Sequence, residues 1–134
     1  MIKDGCVYFN CEFNEPLDNY IDIIKNCTQI VFSNYCNYTI CIETKNQYNC
    51  KYHDNYINNK FNHPLANSLD HQTQLVGLTF GLNFNHPLKN SLNQLTQLSQ
   101  LTFGNNFNCP LENSLNHLNQ LKQLTFETYF NQPN

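Results

Sequence analysis

Three soft side chains recur at one interval: His63, His86 and Cys109 stand 23 residues apart. Imidazole and thiolate both ligate soft divalent metals, and a histidine row changes charge near neutral pH. Stacked on an outer corner, each about 5 Å from the next, they would form a line rather than a tetrahedral cage. Glu15 and Gln132 share that column, so the row reads as a solvated corner that accepts any polar residue. A second set, Cys36-x4-Cys41-x8-Cys50-x2-His53, matches no familiar zinc spacing. No metal and no cofactor are expected. Catalysis needs convergent titratable groups, yet from Asn55 onward the acids are only Asp70, Glu112 and Glu127, in unrelated columns. There is no nucleophile elbow and no phosphate-cradling glycine loop. The chain reads as a non-enzyme.

The elements that would position these residues are repeats. Phe61-Asn62-His63-Pro64-Leu65 returns at Phe84, at Phe107 (with Cys109) and, clipped, at Phe130, each 23 residues on. Leu78-Thr79-Phe80-Gly81 keeps the same beat at Leu101 and Leu124. A fixed period of this length means stacked units, none of which can bury its apolar edge alone. Leu-Thr-Phe alternates apolar and polar, as a short half-buried strand does. Proline removes an N–H and extends the residue before it, so Asn-x-Pro makes a corner. Beyond it, Leu111, Leu115, Leu118, Leu121 and Leu124 follow at steps of four and then three, fitting short helical or 3₁₀ returns. The expected fold is therefore an α/β-type repeat solenoid, with short parallel strands on one face and helical or 3₁₀ returns on the other.

The asparagine after each phenylalanine needs an explanation. Asn62, Asn85, Asn108 and Asn131 would share one column, about 4.8 Å apart. A buried amide must find partners, and the open backbone groups of adjacent corners supply them. An asparagine ladder of structural role is expected, with a polar ligand row as the functional alternative.

Stepping backwards, Phe80 leads to Ile57, Phe32 and Phe9. Residues 1–134 thus read as a single solenoid of about six coils. Residues 1–54 would be degenerate coils, and 55–134 regular repeats with the last one truncated. A two-residue insertion falls between Glu43 and Asp54, and Cys36 takes the column of Phe13, Phe61, Phe84 and Phe107. Cys27 and Cys50 share a leucine column as small apolar fillers.

These phrases resemble the FNIP repeat of social amoebae and giant viruses of amoebae, closely from Phe61 to Pro133 and loosely from Val7 to Ile57. The third position departs from isoleucine, being His63, His86, Cys109 or Gln132. The resemblance implies a leucine-rich-repeat-like, curved solenoid with a strand-lined concave face. Some viral relatives carry an F-box, and Leu17 to Ile24 bears a faint likeness to such a helix, although it also fits the repeat register.

Roughly a fifth of the residues are asparagine, and net charge is −3 with seven lysines and no arginine. A chain so poor in positive charge offers no basic stripe for nucleic acid. No apolar run is long enough to span a bilayer. A cytoplasmic protein is expected, in the host cytoplasm if viral, and a protein partner is the remaining class. Its site would be the outward strand row Tyr8, Val31, Tyr56, Thr79, Thr102 and Thr125, with tyrosine a favoured anchor. The alternatives are self-association through the uncapped edge Leu124 to Phe126, or a substrate-recognition fragment of a ubiquitin-ligase adaptor lacking a clear F-box.

Overall fold

A computed structural model describes residues 2–3, 5–9, 11–33, 35–36, 55–56, 59–127 and 129–132. Its centre is a sheet of six strands in the order β1-β2-β3-β6-β7-β8. These are β1 (Ile2–Lys3), β2 (Cys6–Phe9), β3 (Gln29–Phe32), β6 (Gly77–Thr79), β7 (Gln100–Phe103) and β8 (Gln123–Phe126). A separate pair, β4 (Tyr35–Cys36) and β5 (Asn55–Tyr56), is antiparallel. From β2 onward every neighbour in the main sheet is parallel and in register, with Tyr8 opposite Val31, Val31 opposite Thr79, Thr79 opposite Thr102 and Thr102 opposite Thr125. The chain is a parallel β-solenoid of about four turns. At the other side of β2, β1 pairs antiparallel and covers that edge.

The strand pattern follows from alternation. Val7, Phe9, Ile30, Phe32, Leu78 and Phe80 point inward and are buried, as are Leu101 and Phe103. The intervening positions stay half-exposed. A second buried column stands at the Asn-Pro corner: Phe13, Phe61, Phe84 and Phe107. Within a coil the two columns touch, with ring centroids of Phe80 and Phe84 4.1 Å apart and the same distance between Phe103 and Phe107. Between coils the rings stack nearly parallel, Phe84 on Phe107 at 6.0 Å and 1°. Each such pair adds about 0.5–1.5 kcal/mol beyond its buried area.

The six expected coils give way to this shorter stack, because β3 pairs directly with β6. Forty-eight positions separate Val31 from Thr79, 25 more than one period. The second coil therefore leaves the stack after Ser33 and re-enters it at Asn59. There the backbone N–H of Ser33 donates to Phe9 and that of Lys60 to Cys11. The insertion is one period plus two residues, not two residues alone. Tyr56 sits in β5 opposite Tyr35, outside the sheet row. Cys36 is likewise not in the aromatic column, since Phe61 stacks directly on Phe13 at 5.8 Å. Ile57, Cys41, Cys50 and His53 lie outside the described residues.

Helix among the described residues is confined to the first coil: a 3₁₀ turn at Leu17–Tyr20 runs into α1 (Ile21–Ile24). The segment with an F-box likeness is thus the return of that coil. The later returns are successive tight turns, in which N–H groups of Ser68, Gln72 and Leu75 each donate to the carbonyl three residues back. Spacing leucines by three puts Leu69, Leu75, Leu92, Leu95 and Leu98 on the core side, all buried. Each of these returns starts on a left-handed residue, Ala66, Lys89 or Glu112, with φ of 46°, 50° and 49°. Close backbone approach is needed at one further point. A Cβ on Gly104 would lie 2.2 Å from the carbonyl oxygen of Gly81 in the coil before it.

Candidate functional site

Two polar surfaces run along the stack, and each is built by the 23-residue register. The first is the outer face of the sheet. Tyr8, Val31, Thr79 and Thr102 are half-exposed there and Thr125 exposed, in one line across five strands. Five of the six expected positions are brought together. Tyr56 is not, because its strand belongs to the separate antiparallel pair.

The second surface is at the Asn-Pro corners. The backbone N–H of Asn62 donates to Asn14 Oδ1 at 3.1 Å, that of Asn85 to Asn62 Oδ1 at 2.9 Å, and that of Asn108 to Asn85 Oδ1 at 2.8 Å. Asn131 continues the chain onto Asn108 Oδ1 at 2.8 Å. Each amide oxygen thereby satisfies the peptide N–H one coil on. The side chains are exposed, however, where burial was expected. The ring preceding each asparagine fills the core, so the alternating backbone swings the amide onto the outer surface.

The next column acts in the same direction. His63 Nε2 lies 3.1 Å from the Asn14 carbonyl oxygen and His86 Nε2 2.9 Å from that of Asn62. Cys109 donates its thiol to Asn85 Oδ1, and Gln132 donates its amide to the Asn108 carbonyl at 3.1 Å. Imidazole, thiol and amide share one ability, donation to an oxygen of the coil before. That ability explains why the column holds such different residues, and burial raises the Cys109 thiol above its ordinary pKa.

One buried amide escaped the sequence reading. Asn59 is 0% exposed, donates Nδ2 to the Ser33 carbonyl at 2.9 Å and accepts the Phe61 N–H at 3.0 Å. It joins the two halves of the second coil where the chain re-enters the stack. Its counterparts one period away are Leu82 and Asn105, so no repetition marks it. Two residues of the adjacent column also bond along the axis, Asn83 Nδ2 to the Asn59 carbonyl at 2.9 Å and Asn106 Nδ2 to Asn83 Oδ1 at 3.1 Å. In the first two coils that same column carries an ion pair, Lys60 Nζ to Glu12 Oε2 at 2.7 Å.

Between these asparagine columns lies an open trough of about 750 Å³. Asn14, Asn62, Asn85 and Asn108 form one wall, and Asn83 and Asn106 the other. Lys60 lines it in the second coil, while Tyr129, 63% exposed, marks the fifth. No carboxylate is among the described residues that line it. Spacing points to a structural bond for each asparagine, which is why it does not disclose the trough. Only the amide oxygen is so engaged. No helix among the described residues is long and apolar enough to cross a membrane. No protein-family model, no curated protein and no solved structure matches this chain.

Proposed function

We propose that this chain is a non-enzymatic repeat solenoid, of FNIP type and leucine-rich-repeat-like, that binds a protein partner on the open face of its sheet. One observation carries the reading. Parallel sheets are ordinarily covered on both faces, yet here one face is buried by Val7, Ile30, Leu78 and Leu101 and the other is left half-exposed. The row Tyr8, Val31, Thr79, Thr102 and Thr125 is held in register by the sheet and free of charge, and such backbone pre-ordering lowers the entropic cost of recognition. Tyr8 and Val31 supply its apolar anchors, and Tyr56 drops out. A cytoplasmic setting and the absence of a nucleic-acid partner belong to the same proposal.

The test is affinity capture from amoebal lysate with the wild-type chain and with a Tyr8→Ala/Val31→Ala double variant. A partner that is retained by the wild type and lost by the variant, at matched thermal stability, supports the assignment. Equal capture by both sinks it.

The second reading is self-association through β8. Leu124 is 40% exposed, whereas its counterpart Leu101 in β7 is fully buried. Among the described residues nothing pairs with the outer edge of β8, and unpaired edges are templates for pairing. Because the opposite edge is only the two-residue antiparallel strand β1, such association would be an edge-to-edge dimer of β8 with two-fold symmetry rather than a filament. Sedimentation equilibrium decides this: a concentration-dependent dimer abolished by Leu124→Lys favours it, and a monomer throughout excludes it.

A further inference from the structure

We propose that the asparagine trough binds a neutral, β-linked polysaccharide strand laid along the axis of the stack. This site is separate from the sheet face and does not depend on it.

The first ground is the unspent half of each amide. In Asn14, Asn62, Asn85 and Asn108 the oxygen is occupied by a peptide N–H of the next coil. That bond fixes the amide plane. Among the described residues the Nδ2 groups of these four side chains have no hydrogen-bond partner, and all four are exposed and line the trough. They form a row of donors already held in place, so ordering them costs a ligand little.

Spacing is the second ground. The donors repeat once per coil, a step of roughly 4.8 Å set by strand pairing. One β-1,4-linked pyranose advances by nearly the same length, and because successive rings are turned by about half a rotation, its same-side oxygens recur every second sugar and face every second coil. An extended peptide does not match, because its same-side carbonyls recur every two residues, about 6.8 Å, and lose register within two coils. A trough crossing five corners has room for about four sugar rings at one per step.

Charge is the third. Among the described residues Lys60 is the only cation lining the trough, and it is paired with Glu12 at 2.7 Å. A polyanion would find no uncompensated positive charge there. A neutral ligand rich in acceptor oxygens fits, and the exposed ring of Tyr129 offers a sugar face a flat partner.

The experiment is native electrophoresis through gels containing hydroxyethyl cellulose, glycol chitin or dextran, followed by calorimetry with β-1,4-linked oligosaccharides of two to six sugars. Retardation by a β-glycan and not by α-linked dextran is expected, with affinity rising to about four sugars and then levelling. The discriminating variant is Asn62→Asp/Asn85→Asp. Aspartate keeps an oxygen for the N–H groups of Asn85 and Asn108 but donates nothing, so affinity should fall at least tenfold with little change in melting temperature. Should that variant fold poorly, the length series on the wild-type chain still decides. Lack of retardation by either β-glycan, equal retardation by dextran, undiminished binding by the folded variant, or preferential binding of an extended Ser-Gly peptide would each overturn the proposal.

Discussion

In the third and fourth coils the paired rings lie 11° from parallel (Phe80 and Phe84) and 18° (Phe103 and Phe107), whereas in the first coil Phe13 tilts 36° from Phe9. Phe13 also meets Tyr20 edge-on, at 79° with centroids 5.1 Å apart. The columns are the same and the residues in them are phenylalanine in both regions. What differs is the return. The first coil comes back through a 3₁₀ turn and α1, which place Tyr20 against the ring column and its hydroxyl 2.5 Å from Glu15. Later coils return through tight turns that bring no phenylalanine or tyrosine of their own against the column, which meets only its own rings and, at a tilt, His63 and His86. Ring geometry in a solenoid is thus decided by the connection rather than by the ring. Stability should then be a sum of near-identical interfaces in the regular coils and a differently built one at the start.

The largest effect expected from that contrast is at the centre of the regular column. Phe84 touches Phe61, Phe80 and Phe107 and is fully buried. Phe84→Ala should cost about 3–5 kcal/mol, measured by urea denaturation. Tyr20→Ala, at a half-buried ring, should cost about 1–2 kcal/mol. A reversal of that order would mean that the first coil, not the repeated spine, holds the molecule together. Gly104→Ala probes the same regular region through its backbone. Its methyl group would meet the Gly81 carbonyl rather than a movable side chain, so a loss of about 1–3 kcal/mol is expected. Glu127→Ala, one coil on and exposed, should stay within about 0.5 kcal/mol.

A defect within one column gives the next prediction, of opposite sign. Ile24, Gln72, Leu95 and Leu118 occupy equivalent places, since the N–H groups of Cys27, Leu75, Leu98 and Leu121 donate to their carbonyls in turn. Gln72 alone is polar. It is 2% exposed, and neither its amide nitrogen nor its oxygen has a partner. An orphaned buried polar group costs about 1–3 kcal/mol. Gln72→Leu should therefore raise stability by about that amount, read as a higher urea midpoint at unchanged slope. A lowered midpoint would show that the amide is satisfied in solution.

What the sequence disclosed and what it hid can be traced to the same residues. Phe9, Phe32, Phe80, Phe103 and the corner phenylalanines announce the period, and their burial follows because apolar alternation maps directly onto a strand. The insertion stayed hidden for a physical reason. At 25 residues it nearly equals one period, so it shifts the register by only two, and Tyr56-Ile57 imitates the strand phrase. Alternation alone cannot distinguish a strand that joins the stack from one that pairs elsewhere, as β5 does with β4. The asparagines announce a shared column, but spacing does not say whether an amide is buried or which half of it is used, and here the side chains are exposed. Asn59 and Gln72 carried no periodic signal at all. Nor did Ala66, Lys89 and Glu112, none of which is a residue that favours positive φ.

The middle one of those three supplies the sharpest form of the comparison. Asp18 is the first-coil equivalent of Lys89, directly after the leucine that follows each proline. Lys89 has φ of 50°, while Asp18 lies in the 3₁₀ turn Leu17–Tyr20 and accepts the Ser68 hydroxyl at 2.5 Å. Comparing glycine with alanine at each site cancels the loss of the side chain and isolates the backbone. At position 89 a Cβ in the left-handed region costs about 1–2 kcal/mol, so Lys89→Gly should be more stable than Lys89→Ala by about 1 kcal/mol once glycine's greater unfolded-state entropy is included. At position 18 the backbone is right-handed and the order reverses, with Asp18→Gly less stable than Asp18→Ala by about 0.5–1 kcal/mol. Four melting curves measure both differences. The same sign at both sites would mean that the first coil returns like the others, and the contrast in ring packing would then need a cause other than the connection.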